Sequence, residues 1–422
     1  MPFERAKDNQ WWYSKSELRE QVEQCAEIIL CVNGRACRMR HALPGRDGRA
    51  TLSFVFVDDR DRQYWVSLRG SRVSLDLLPP PVASDGPSRE PPVGLRLARP
   101  TRVDKAKVLT GGTELPTLQL APRQSTIFDA YIFVDWSASK SPKSGPDSIW
   151  IAEGEWINCN LRLSAPCNLS TRCAAMDYLA QRLATYAENG KRVLLGFDFA
   201  YSYPGSFFSQ SFIPCRAALW QYLSKNITDA PTNANNRFQV ANAINAGLPS
   251  PLLWGRPQGQ AHLSLANLSS KKPSALTNCL SFRLIEKVLR GMGLQPKSAF
   301  QLFGNGSVGS QVLMGLPRIE QLKLAFPNYF LTWPFDTGWA LQPTTLPKPA
   351  IINCEIWPGA ILVCNFHKIK DASQMISYVI WAAREDAYGG LPHWFQVPGR
   401  HCQLSPSQIT AAQNVEGWIL GV

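Results

Sequence analysis

A chain of 422 residues that is 45% hydrophobic and 18% charged can bury a substantial core, and its length suits two domains or one large domain plus a module. No apolar stretch approaches the roughly 20 residues needed to cross a bilayer, and the opening MPFERAKDNQWWYSKSELRE lacks the apolar core of a signal peptide, so a soluble, cytoplasmic globular protein is expected. The formal charge of +12 favours anionic partners, nucleic acid foremost, although the excess is spread over both halves with no long basic run. The eleven cysteines are scattered without a CxxC pair, which argues against a disulfide framework and a structural zinc site.

In chain order, Ser14 with Glu17 three positions later, followed by Leu18, Val22 and Ile28, predicts a capped helix over 14–30. TLSFVFV and QYWVSLRG flank the polar turn DDRDR and predict a hairpin. Residues 1–78 are thus expected as a small α+β module. The proline-dense stretch beyond them opens a linker and ambiguous segment over 79–127. From residue 128 the pattern sharpens. YIFVD, IWIAEG (149–154) and WINCNLRLS (156–164) read as a three-strand meander. Met176, Leu179, Leu183 and Tyr186 mark a helix over 172–188, closed by Gly190 before the strand RVLLGFD. A right-handed crossover sets that strand parallel to the first. An insertion over about 205–348 precedes the buried strand IINCEI and a helix opening at Asp371 whose face is Met375, Ile376, Val379, Ile380 and Ala383.

Four acids stand at the ends of these elements: Asp135, Asp198, Glu355 and Asp371. Three close apolar strands and the fourth opens a helix, so one fold can collect them at a sheet edge. Carboxylates packed that closely repel unless a divalent cation neutralises them, which predicts a Mg²⁺ or Mn²⁺ cluster. Around it, Lys140 and Lys143 in SASKSPKSG are candidates for phosphate contacts. Tyr201, Trp254 and Arg256 are candidates to stack on or clamp an unpaired base, and His367 is a candidate proton shuttle. Gly304, Gly306 and Gly309 spell GxGxxG. A dinucleotide-binding turn is disfavoured there because Pro317 should interrupt the following helix and no acid stands near the roughly 20-residue offset that holds a ribose.

The order of elements, with acids on the first, fourth and fifth strands and the last helix, resembles the ribonuclease H fold. VDWSAS, GFDFAYSYP, WPFDTG and CEIWPG, supported by NNRFQVANAIN, PLLWGRPQG and GNGSVGSQVLMGLP, are similar to a family of uncharacterised predicted nucleases of that fold, over about residues 128–390. Asp336 in WPFDTG stands where that family would have glutamate. The resemblance implies an α/β domain over 128–422, a mixed five-stranded sheet flanked by helices with a large insertion. It also implies a two-metal nuclease acting on DNA or RNA, with Asp135 bridging both ions, Asp198 and Glu355 completing one site and Asp371 the other. The alternative is a non-catalytic nucleic-acid-binding or scaffold protein that keeps the fold.

Overall fold

The computed structural model describes residues 126–422, apart from 159, 258–264, 275, 305, 342–345, 362, 364–365 and 400–401, together with six strand segments between residues 29 and 97. Those strands are β1 (Ile29–Val32), β2 (Arg35–Pro44), β3 (Leu52–Val57), β4 (Gln63–Arg69), β5 (Arg72–Leu77) and β6 (Arg96–Leu97). They form one antiparallel sheet in the order β5-β4-β3-β2-β1-β6. The expected hairpin is β3–β4. Of the helix expected over 14–30, residues 14–28 lie outside the described residues. Ile29 and Leu30 are strand, paired to Arg38 and Cys37. β6 comes from the segment expected as linker.

The second sheet contains β7 (Ala130–Asp135), β8 (Ile149–Ile157), β9 (Asn160–Leu163), β10 (Cys167–Leu169), β11 (Arg192–Phe197), β12 (Phe330–Thr332) and β13 (Ala350–Glu355). Its order is β10-β8-β7-β11-β13-β12, with β9 also paired to β8. β7, β11, β13 and β12 run parallel, while β8 is antiparallel to β7. The sheet is therefore mixed and seven-stranded rather than five-stranded. One added strand, FLT, comes from inside the expected insertion. The meander also breaks later than its residues suggest, because β8 runs unbroken through Gly154 to Ile157. A Cβ on Gly154 would lie 2.5 Å from Val379, so that glycine admits a helix rather than ending a strand.

The longer helices are α1 (Arg172–Glu188), α2 (Arg216–Asn226), α3 (Arg237–Ala246), α4 (Leu284–Gly291), α5 (Gly309–Ala325) and α6 (Lys370–Ala387). Thr171 caps α1 by accepting the Ala174 N–H, and Gly190 leaves it at φ +64°. On one face of the sheet, Tyr131, Phe133, Leu194, Ile352 and Cys354 bury against Met375, Ile376 and Val379 of α6. On the other, Ile132, Val134, Val193, Leu195, Phe197 and Ile351 pack with Leu179 and Leu183 of α1 and Leu313 and Leu316 of α5. Each such side chain contributes about 1.5–3 kcal/mol relative to exposure.

α5 corrects the sequence-based expectation twice. It belongs to this core rather than to a separate insertion, and it passes through Pro317. A proline in a helix interior costs about 3 kcal/mol, but burial of Val312, Leu313, Leu316, Ile319 and Leu322 outweighs that local penalty. No helix among the described residues is long and apolar enough to cross a membrane.

Candidate acidic site

Phe197 lies in register with Val134, so Asp135 and Asp198 follow at the same level of neighbouring parallel strands. Alternation from Tyr131 and Phe133 directs Asp135 to the face that α6 covers. Asp371, in the first turn of α6, approaches from above. Asp135 and Asp198 hydrogen-bond each other, and both feel the Asp371 charge. Asp198 Oδ1 also accepts the Trp136 N–H at 2.8 Å. Asp371 Oδ2 accepts the Asp147 N–H at 2.7 Å.

Burial, followed by the charges of Asp198 and Asp371, holds the Asp135 carboxyl well above the ordinary carboxylate range. Burial also raises Asp198 to about 6, against the opposing pull of the Trp136 N–H. Of the two, Asp135 is the more readily protonated and Asp198 the acceptor. Among the described residues, none of the three acids forms an ion pair with Lys, Arg or His. Several other buried acids are paired with arginine, Glu153 with Arg182, Asp229 with Arg172 and Arg318, and Glu286 and Glu355 with Arg283, while Asp386 and Glu416 are held by N–H and hydroxyl donors. The trio is therefore a local excess of negative charge in a partly desolvated setting.

Glu355 does not join it. Its register partner is Phe197, not Asp198, so it points to the face of Phe197 and Val134. A displacement of one residue along a strand exchanges faces. There Arg283 Nη2 and Nη1 donate to its two oxygens at 2.5 and 2.7 Å, and the Tyr201 N–H donates at 3.0 Å. Arg283 also bonds Glu286 and the Glu416 carbonyl. Glu355 is therefore half of a buried ion network that anchors the C-terminal segment, and its role as a metal ligand is corrected. Both faces of IINCEI are buried, which hides the alternation that would have revealed this.

The other candidates scatter. Tyr201 is 1% exposed, and its hydroxyl bonds Asn353 and the Cys354 carbonyl, so it belongs to the core and cannot stack on a base. Lys143 pairs with Asp147 at 3.3 Å on the surface beside Asp371. Lys140 sits over the Phe238 ring. Trp254 and Arg256 are half-buried and joined by backbone bonds to the 269 and 300–302 segments, with no contact to the trio. His367 is buried against Trp150, and its Nδ1 accepts the Ile369 N–H at the start of α6. Burial lowers its pKa, and the ring braces the helix that carries Asp371. Asp336 pairs with Lys323 and accepts the Thr332 N–H, away from the trio.

Asp147 is a neighbour of the site that sequence reasoning misses. It takes a left-handed φ of 52°, which Asp tolerates better than most residues, and the turn signal SGPDS was the available clue. In the glycine-rich segment, Gly309 opens α5 where a Cβ would meet the Ala299 and Gln301 carbonyls at 2.4 and 2.6 Å. The described residues before it form no strand, only a single bridge at Gln301, unlike the strand–turn–helix unit of a dinucleotide site.

Among the described residues, no group of three or more His, Cys, Asp and Glu side chains is arranged to ligate a metal ion. The donors of the trio are nonetheless hard oxygens of the kind Mg²⁺ and Mn²⁺ take, and no protein cation among the described residues competes for them. Comparison with family models, curated proteins and solved structures found no match.

Proposed function

We propose that the second domain is a ribonuclease H-like nuclease that hydrolyses phosphodiester bonds in DNA or RNA with Mg²⁺ or Mn²⁺ held by Asp135, Asp198 and Asp371. The observation that carries this reading is that three carboxyls, with no counter-ion among the described residues, interact at the ends of two parallel strands and the start of a helix. The sheet order supports it: an antiparallel arm of β8 to β10 beside a parallel set of β7, β11 and β13.

When bound, divalent ions supply an activated water and neutralise the leaving oxygen. Asp135, which feels the charges of both Asp198 and Asp371, would hold the ions together with those two residues. Asp371 would contribute the carboxylate that accepts the Asp147 N–H in this structure. His367 keeps the first turn of α6 in place, and the loop after Asp135 is held by Arg172, whose Nη1 donates to the Ser137 and Ser139 carbonyls at 3.0 and 2.8 Å.

The test is cleavage of labelled single- and double-stranded DNA and RNA with Mg²⁺, with Mn²⁺ and with EDTA. Metal-dependent cleavage by the native chain, lost in Asp135→Asn with the fold intact, is the expected result. Undiminished cleavage by Asp135→Asn removes that residue from the mechanism. Salt-sensitive binding with no cleavage under any metal identifies the non-catalytic alternative instead.

A further inference from the structure

Beyond Asp135 the sign of the charge reverses. Arg237, the first residue of α3, is only 8% exposed. Its Nε donates to Ser310 Oγ at 2.9 Å and its Nη1 to Asn235 Oδ1 at 2.7 Å. Among the described residues it has no carboxylate partner. Lys140 Nζ and the Arg237 guanidinium lie 5.2 and 4.5 Å from the centroid of the same Phe238 ring, and Lys140 also lacks an ion pair among those residues. The acid that does act on Arg237, Asp229, is already shared by Arg172 at 2.6 Å and Arg318 at 2.7 Å. Four cations against one carboxylate leave a local charge of +3. A guanidinium taken out of water without an anion is unfavourable, and burial followed by the Arg172 charge lowers the Arg237 pKa to about 10.

Arg237 is aimed at a helix end. Ser310 and Gln311 are in the first turn of the 17-residue α5, whose N-cap residue, Val308, gives no side-chain cap. The Gly309 N–H donates to the Gln301 carbonyl at 2.8 Å, and the amide end presents the positive partial charge of the helix at Ser310 and Gln311. Ser310 Oγ is fixed by donating to the Leu302 carbonyl at 2.6 Å. Gln311 Nε2 donates to the carbonyl of Trp136, the residue after Asp135, so this helix end is tethered beside the acidic site.

We propose that Arg237, Lys140 and the first turn of α5 form a seat for a backbone phosphate of a nucleic-acid strand whose neighbouring phosphodiester lies at Asp135, Asp198 and Asp371; the second half of this statement rests on the nuclease reading. The phosphate supplies the anion that the buried Arg237 lacks, and it meets the positive end of the α5 dipole at Ser310 and Gln311. The seat fixes where the strand runs relative to the acids but reads no base. A purely structural Arg237, tying α3 to α5 through Ser310, would affect stability alone.

The test is fluorescence anisotropy with the full chain in EDTA, using single-stranded DNA and RNA 12-mers over about 50 to 200 mM salt. The variants are Lys140→Gln, Arg237→Gln and Arg237→Lys, with Lys225→Gln at the end of α2 as a control. Lys140 is exposed, so its substitution leaves the fold intact. Lys140→Gln and Arg237→Gln should each weaken binding several-fold and flatten the log K against log salt slope by about 0.7, the value for one phosphate on a single strand. Arg237→Lys and Lys225→Gln should keep the native slope. A native slope in both neutral variants, or no binding of either 12-mer by the native chain, overturns the seat. If the slopes change but metal-dependent cleavage is absent, the seat stands and the nuclease reading falls. Cleavage with unchanged slopes removes the seat and leaves the nuclease reading in place.

Discussion

Replacing Asp198 with Asn should stabilise the metal-free chain at pH 8. The introduced amide can still accept the Trp136 N–H and can donate to Asp135, so the hydrogen bonds survive while the ionisation penalty disappears. The native carboxyl titrates near 6 against an ordinary 3.8. A carboxyl raised in the folded state contributes stability that is fully present below about 3.8 and is lost as pH rises through about 6, the opposite of an ion-paired acid. The displacement corresponds to about 3 kcal/mol at pH 8. Solvent at this half-buried site screens part of it, so that figure is a ceiling. For a domain of roughly 300 residues it translates into a Tm increase of up to about 5 °C. Thermal melts in EDTA at pH 4 and pH 8 measure it: the gain should be large at pH 8 and close to zero at pH 4. A variant that melts at or below the native chain at both pH values would refute the argument that the trio stores repulsion.

Adding millimolar Mg²⁺ should raise the native Tm by mass action, and Glu355→Gln should keep that increase while losing about 3 kcal/mol of stability, because it leaves Arg283 under-paired in the core; a lost Mg²⁺ shift in Glu355→Gln would return that residue to the site. Asp386 accepts the Ile127 and Phe128 N–H groups and the Tyr131 hydroxyl at 2.7, 2.9 and 2.6 Å, so Asp386→Asn should cost about 2–3 kcal/mol in urea unfolding by leaving one buried donor facing an NH₂ group. Gly315→Ala would place its Cβ 2.2 Å from the Phe199 ring, and overpacking there should cost about 1–3 kcal/mol, read from the same unfolding curves.

Where local pattern and tertiary packing agree, the sequence is legible. Residues 172–188 have both a Thr cap and apolar spacing, and the helix occupies that span. YIFVD, RVLLGFD and IINCEI are strands because β-branched and aromatic runs end at polar residues, and two of the four acids sit side by side as their placement suggests. Glu355 fails for a reason internal to parallel sheets: a strand buried on both faces carries no alternation, so nothing local tells residue 355 from 356. Its true partner, Arg283, lies 72 positions away, inside the stretch expected as an insertion. Pro317 misleads in a similar manner, since a local breaker is weighed without the core that α5 enters. Asp386, engaged with residues more than 250 positions upstream, leaves no trace in the pattern at all.

The Arg283–Glu355 contact bears on how this architecture can be trimmed. The long excursion between the fourth and fifth core strands looks like a removable graft, yet it carries the only cation that neutralises Glu355 among the described residues, and it lends β12 to the sheet margin. A shortened chain that joined residue 205 directly to 348 would strand a carboxylate in the interior and bare a strand edge together. The excursion and the sheet therefore have to be inherited, engineered or lost as one unit.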